Sequence, residues 1–144
     1  MNRWVLAAVV VGMALSACVA VDGGAVELEW TVRTEDALPT SCQTEAIATV
    51  SLCVQDCDQV TGGACTGAEI CPYASFSCDR LHGATGFTIP PGRKALRITA
   101  TCADGRAAQA RVPEPVVRDV SEGNVTELNA LLIAVPAIGG SGCL

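Results

Sequence analysis

Apolar and polar residues alternate over residues 25–33, with Val26, Leu28, Trp30 and Val32 on one side and Glu27, Glu29, Thr31 and Arg33 on the other. Successive side chains of an extended chain point to opposite faces, so this period of two predicts a half-buried antiparallel strand. The alternation returns over residues 49–54, with Val50, Leu52 and Val54 inward, and over residues 94–102, with Leu96, Ile98, Ala100 and Cys102 inward. A short strand is predicted over 85–89, and Pro90-Pro91-Gly92 then supplies a turn with Pro where φ is fixed and Gly where φ is positive. Asp104-Gly105 predicts a type I′ hairpin with residues 106–112 returning antiparallel. Residues 116–120, after Pro113-Glu114-Pro115, read as an edge strand.

Two segments are ambiguous by pattern. Ser41 followed by Thr44 and Glu45 predicts a helical turn over 41–48. Over 125–135, Leu128, Leu131, Leu132 and Val135 have helical spacing, whereas Val125, Leu131, Ile133 and Val135 share one strand parity; the strand-rich surroundings favour a strand. From residue 55 to 73 periodicity disappears, and Gly62, Gly63, Gly67 and Pro72 predict an irregular insert, with Phe76 and Cys78 opening the next short strand. About seven short strands and no long helix predict an all-β fold, a single antiparallel β-sandwich. Its expected core is Trp30, Val50, Leu52, Phe87, Leu96, Ile98 and Leu131. Aromatic residues are only 3% of the chain, and small domains with modest cores lean on covalent staples.

The chain begins differently. Arg3 precedes an unbroken apolar run over residues 4–15, too short for the ~20 helical residues that span a bilayer, so it predicts a secretory signal and not an anchor helix. Leu15-Ser16-Ala17-Cys18 then resembles the lipobox of bacterial lipoprotein signal peptides. That resemblance implies cleavage before Cys18, a diacylglyceryl group on its thiol and acylation of the new amino group; Val19, where Asp would imply inner-membrane retention, implies the outer membrane. Two or three acyl chains, at ~0.8 kcal/mol per buried CH₂, hold a protein stably. The expected organisation is a signal peptide over 1–17, a lipidated tether over 18–24, a sandwich over 25–135 with a Cys-rich insert at 55–78, and a flexible tail over 136–144.

With Cys18 lipidated, Cys42, Cys53, Cys57, Cys65, Cys71, Cys78, Cys102 and Cys143 remain. An even number of cysteines in an exported chain predicts disulfides, because the compartment beyond the inner membrane is oxidising. Spacing leaves the connectivity open; Cys42 with Cys78 is favoured, tying the loop before the second strand to the end of the insert. Cys53 and Cys57 have the spacing of one zinc knuckle, but no second knuckle follows and His82 is distant, so no metal is expected. There is no C-x-x-C redox motif.

Residues 86–105, reading Gly-Phe-Thr-Ile-Pro-Pro-Gly-Arg-Lys-Ala-Leu-Arg-Ile-Thr-Ala-Thr-Cys-Ala-Asp-Gly, are similar to the strand, Pro-Gly turn, strand and Asp-Gly passage of carboxypeptidase-regulatory-like and transthyretin-like sandwich domains. Val26-Glu27-Leu28-Glu29-Trp30 resembles the first strand of small envelope lipoproteins. Both resemblances imply a sandwich fold and no particular activity.

Charge narrows the partners. The formal net charge of −6 becomes −7 once Arg3 is removed, and no basic patch is present, which argues against nucleic acid. His82 is the only imidazole and lies in a predicted loop; no G-x-S-x-G, phosphate-loop or H-E-x-x-H pattern occurs, so no catalytic residue and no cofactor are expected. Asp56-Cys57-Asp58 with Thr61-Gly62 lacks the central Gly and terminal Glu of a calcium loop. Glu27 and Glu29 read as a solubilising face, and Asn124-Val125-Thr126 as a coincidental glycosylation pattern in a bacterial lipoprotein. The expected protein is a non-catalytic outer-membrane lipoprotein, an envelope binding or structural module held to the membrane through Cys18. Its expected partner is an envelope protein or glycan, met by the 55–78 insert; the alternative is an exported cystine-loop inhibitor of a protease.

Overall fold

The alternating segments form the strands β1 (Ala25–Thr34), β2 (Ile47–Asp56), β3 (Glu69–Ser77), β4 (His82–Ala84), β5 (Gly92–Cys102), β6 (Val116–Val120) and β7 (Val125–Val135) of a computed structural model that describes residues 21–58, 65–137 and 142–143. One 3₁₀ turn, Cys78–Arg80, joins β3 to β4. The strands make two sheets, β4-β1-β7 and β3-β2-β5-β6, an all-β sandwich. The signal segment, Cys18 and the tip of the insert, 59–64, lie outside the described residues.

The core lies between the sheets. From β1 come Val26, Leu28, Trp30 and Val32; from β2, Val50, Leu52 and Val54; from β5, Leu96, Ile98 and Ala100; and from β7, Leu128, Leu131, Ile133 and Val135, all buried. Six of the seven expected core residues are there. Phe87 is not: it is 42% exposed, and fully buried Ile89 is the core residue of that segment. Residues 85–89 do not form the expected strand, because Thr88 N–H turns back to the Gly86 carbonyl and only Ile89 bridges to Gly24. The short strand lies earlier, at β4, and contains His82.

One pairing departs from the antiparallel expectation. β1 and β7 run parallel over their full length, the first and last strands of the domain side by side, while β4 takes the other edge of β1 antiparallel. Leu28 lies opposite Leu128 and Trp30 opposite Leu131, so β7 carries one extra residue there, a bulge. That bulge resolves the ambiguous spacing of β7. Leu128 faces inward before it and Leu131, Ile133 and Val135 after it, while Val125 is exposed despite its parity.

Two turns also take forms other than expected. At Asp104-Gly105 only Gly105 has positive φ (84°), and Gly105 N–H donates to the Cys102 carbonyl while Cys102 N–H donates to that of Arg106. This is a three-residue loop of type I turn plus left-handed Gly, not a type I′ turn, which needs positive φ at both central residues. The returning chain bridges β5 only at Ala107, then crosses to the other sheet, where Arg111 and Ala134 exchange backbone hydrogen bonds. At 41–46, Ser41 Oγ accepts the Thr44 N–H, but Ala46 at φ 54° ends the turn before a helix forms and β2 starts at Ile47.

Gly83 of β4 is selected by space. A Cβ there would lie 2.6–2.8 Å from ring carbons of Phe76, whose ring also meets Trp30 at a centroid distance of 6.2 Å. Gly83→Ala should push the ring off the backbone and destabilise the domain by roughly 1–3 kcal/mol, read as a lowered urea midpoint with unchanged m-value.

Candidate functional site

The described part of insert 55–78 is more regular than its sequence suggests. Its second half is β3, antiparallel to β2 from Thr49 opposite Ser77 to Gln55 opposite Glu69, so the insert is the long end of a β2–β3 hairpin. Alternation was hidden because β3 is an edge strand interrupted at Pro72. Cys71, Pro72 and Tyr73 lie between the registered pairs Leu52–Ala74 and Val54–Ile70, a bulge that accommodates a residue with no N–H to donate.

The base of the hairpin is fastened repeatedly. Cys53–Cys71 crosses from β2 to β3, and Cys57–Cys65 closes the loop beyond. Gln55 Nε2 donates to the Gly67 carbonyl (2.8 Å) and Gly67 N–H to that of Asp56 (3.2 Å). Lys94, whose side chain is almost fully buried, reaches out of the sandwich end to pair with the exposed Asp56 carboxylate. An ordinary loop loses entropy on binding; hairpin arms pinned in this way have lost much of theirs on folding.

Arg97 of β5 holds Glu69 bidentately, Nε to Oε1 at 3.0 Å and Nη2 to Oε2 at 2.7 Å. The guanidinium hydrogen bond keeps the Glu69 carboxyl below the usual carboxylate range, and Glu69 in turn raises Arg97. A folded-state pKa below the unfolded value means the pair stabilises above the unfolded pKa of about 4.3 and loses that contribution as pH falls through the folded value. Glu69→Gln should therefore lower the unfolding midpoint slightly at neutral pH, by less than ~1 kcal/mol for so exposed a pair, and the gap from the parent should close on acidification.

The other two disulfides lie at the opposite end. Cys42–Cys78, the pair favoured from sequence, joins the 41–46 turn to the 3₁₀ turn, and Cys102–Cys143 ties the end of β5 to the C-terminal segment. Cys143 is thus bonded, and Gly142 O accepts from Gln109 N–H at 2.6 Å, so residues 142–143 dock on the domain where a flexible tail was expected.

The domain starts at the hairpin end. Gly24 exchanges hydrogen bonds with Ile89 and a Cβ on it would collide with Val120 and Ser121, while Val120 is paired with Gly92 and Lys94 with Asp56. Gly23 and Gly24, expected in the tether, are already buried in the domain. The chain from Cys18 to Gly23 can then reach at most ~18 Å at ~3.5 Å per residue.

A second cluster lies on the outer face of the three-stranded sheet. Glu27 and Glu127 are opposite each other in the parallel pair, Glu29 is opposite His82, and His82 Nε2 meets Glu27 Oε1 at 2.6 Å. With Asn129 and Ala130 these carboxylates line a shallow cavity of about 280 Å³. The sequence reading had only Glu27 and Glu29 here; Glu127 and His82 join through long-range strand pairing, for which no local signal exists. Cys53, Glu69 and Cys71 carry ligand atoms within 4.8 Å of one another, but the two thiols are consumed in a disulfide and Glu69 is taken by Arg97. Asp56 of the calcium-like stretch is paired with Lys94.

The fold and site define a disulfide-stapled β-sandwich with a reinforced hairpin beside Gly23-Gly24, where the domain begins. Compared with known proteins, the chain matches no family model, no curated protein and no solved structure.

Proposed function

We propose that this protein is a lipid-anchored outer-membrane lipoprotein that acts as a non-catalytic binding module, using the closed end of the β2–β3 hairpin for recognition. The observation that carries the reading is the use of the cysteines. Eight of the nine are bonded to one another in four bridges, which leaves Cys18, in Leu15-Ser16-Ala17-Cys18, as the thiol available for acylation. A rigid sandwich carrying a loop fastened by two cystines and an ion pair suits a pre-ordered recognition element.

Placement of that loop adds a constraint. The hairpin end and the tether share one end of the sandwich, so an anchor at Cys18 holds the loop close to the bilayer surface. Asp22, Asp56 and Asp58 are exposed near this end and Lys94 is already held by Asp56, a poor match for anionic headgroups. The favoured partner is therefore a protein or glycan presented at the membrane, not the lipid itself. Closure of a short ring by Cys57–Cys65 also supports the second reading, a cystine-loop protease inhibitor.

Cys18→Ser should abolish metabolic fatty-acid labelling and leave the protein uncleaved or released; labelling that survives rejects the anchor. Replacing residues 58–64 with a Gly/Ser segment spares every cysteine and should leave the urea midpoint within about 0.5 kcal/mol of the parent, as for surface changes generally. Its crosslinking in the envelope to the parent's principal partner should fall at least tenfold while His82→Ala crosslinks normally. Unchanged crosslinking by the loop variant refutes the site, and a protease as that partner selects the inhibitor reading.

A further inference from the structure

We infer that Cys53–Cys71 is a thiol-exchange site, open to a small thiol that enters at the Cys71 sulfur, while the other three bridges are structural. The inference does not depend on the anchor or on the recognition loop.

Exposure separates this bridge from the rest. Among the described cysteines Cys71 is the exposed one; Cys42, Cys53, Cys57, Cys78 and Cys102 are buried, and Cys65 and Cys143 are half-buried. Cys42–Cys78 is buried at both ends. In Cys53–Cys71, Cys53 has no exposed surface, so a thiolate from solvent meets Cys71 first. Cys53 alternates with the inward Leu52 and Val54, so the bond lies on the outer face of its sheet and outside the hydrophobic cluster between the sheets.

A cation also lies against this bridge. Arg97 is paired in register with Cys53, and its Nη2 lies 4.0 Å from Cys71 Sγ. A guanidinium beside the attacked sulfur lies on the approach of the incoming thiolate and offsets part of its negative charge as the new S–S bond forms. Glu69 fixes that guanidinium in place through both of its oxygens, and because its carboxylate also lies within 4.8 Å of both sulfurs it offsets part of the attraction. The incoming thiolate forms a new S–S bond to Cys71 Sγ, the Cys53–Cys71 bond breaks, and its electron pair leaves on Cys53 Sγ, which takes a proton from water. The small thiol is oxidised to one half of a mixed disulfide and the Cys53 sulfur is reduced. Attack by the Cys53 thiolate on Cys71 Sγ reverses the step and expels the small thiolate.

The surrounding structure survives the opening. The β2–β3 ladder extends to both sides of the bridge, and Cys57–Cys65 is nested inside it and still closes the loop. Exchange therefore needs no global unfolding and changes the stiffness of the hairpin alone.

The test uses the oxidised full chain and reduced glutathione, quenched with iodoacetamide at short times and mapped by peptide mass. The expected first product carries glutathione on Cys71 and the alkyl group on Cys53, with the other six described cysteines still bonded. Arg97→Gln should slow its formation about three- to tenfold, with Arg97→Lys between the two, and both variants should keep the parent far-UV spectrum. First opening of another bridge, a glutathione adduct on Cys53, or loss of all four bridges together would overturn the inference. An Arg97→Gln rate equal to the parent's would also overturn it, since exposure alone would then set reactivity.

Discussion

Trp30→Ala should destabilise the domain by about 3–5 kcal/mol, the largest loss expected from any single side chain here. Trp30 is the largest fully buried side chain, contacts Phe76, and donates its indole N–H to the Cys78 carbonyl at 3.0 Å. Truncation opens a cavity between the sheets and strands a buried carbonyl; each adds to the lost transfer energy. Trp30→Phe keeps much of the ring volume and separates the two, leaving mainly the orphaned acceptor at ~1–3 kcal/mol. Urea unfolding of both variants checks the order, and an alanine variant within 1 kcal/mol of the parent would mean that the Trp30 pocket closes without cost.

Removing Cys42–Cys78 by a paired Cys42→Ala, Cys78→Ala change should cost about 2–5 kcal/mol. The bond closes a sequence separation of 36 residues and encloses both hairpin cystines, so it restrains the unfolded chain over a long loop. Both partners are buried, and the Cys78 carbonyl is the acceptor of Trp30. The two sites should therefore couple: the Trp30 loss measured in the Cys42/Cys78 variant should be smaller than in the parent by about 0.5–3 kcal/mol, because the 3₁₀ turn that presents the acceptor is no longer pinned. Strict additivity would show that the turn holds its place without the bond.

How much was legible varies by segment. β1, β2 and β5 were readable because one face meets the core and the other meets water, which writes a period of two into the residues themselves. β3 was not, since an edge strand with a bulge at Pro72 has neither a continuous inner row nor an unbroken ladder. In β7 a bulge shifted the parity halfway along, so the correct element was reached with Val125 on the wrong side. An aromatic side chain in an expected strand marks Phe87 for the core, yet a local turn exposes it and Ile89 takes the buried place. Of the site, the loop and its cysteines were visible; Arg97, Lys94 and Glu69 were not, because each gains its meaning from a partner on another strand.

The sequence by itself determined the all-β class, most of the core and the number of cysteines free to pair, all of which follow from local periodicity or from counting. Tertiary structure alone decided which cysteines meet, that the first and last strands run parallel, that residues 106–112 change sheets, and that the hairpin end shares a side with Gly23-Gly24. These depend on contacts between residues dozens of positions apart, such as Ala25 with Val125 and Cys102 with Cys143. A residue's own pattern records whether it faces the core; it does not record which distant strand covers it there.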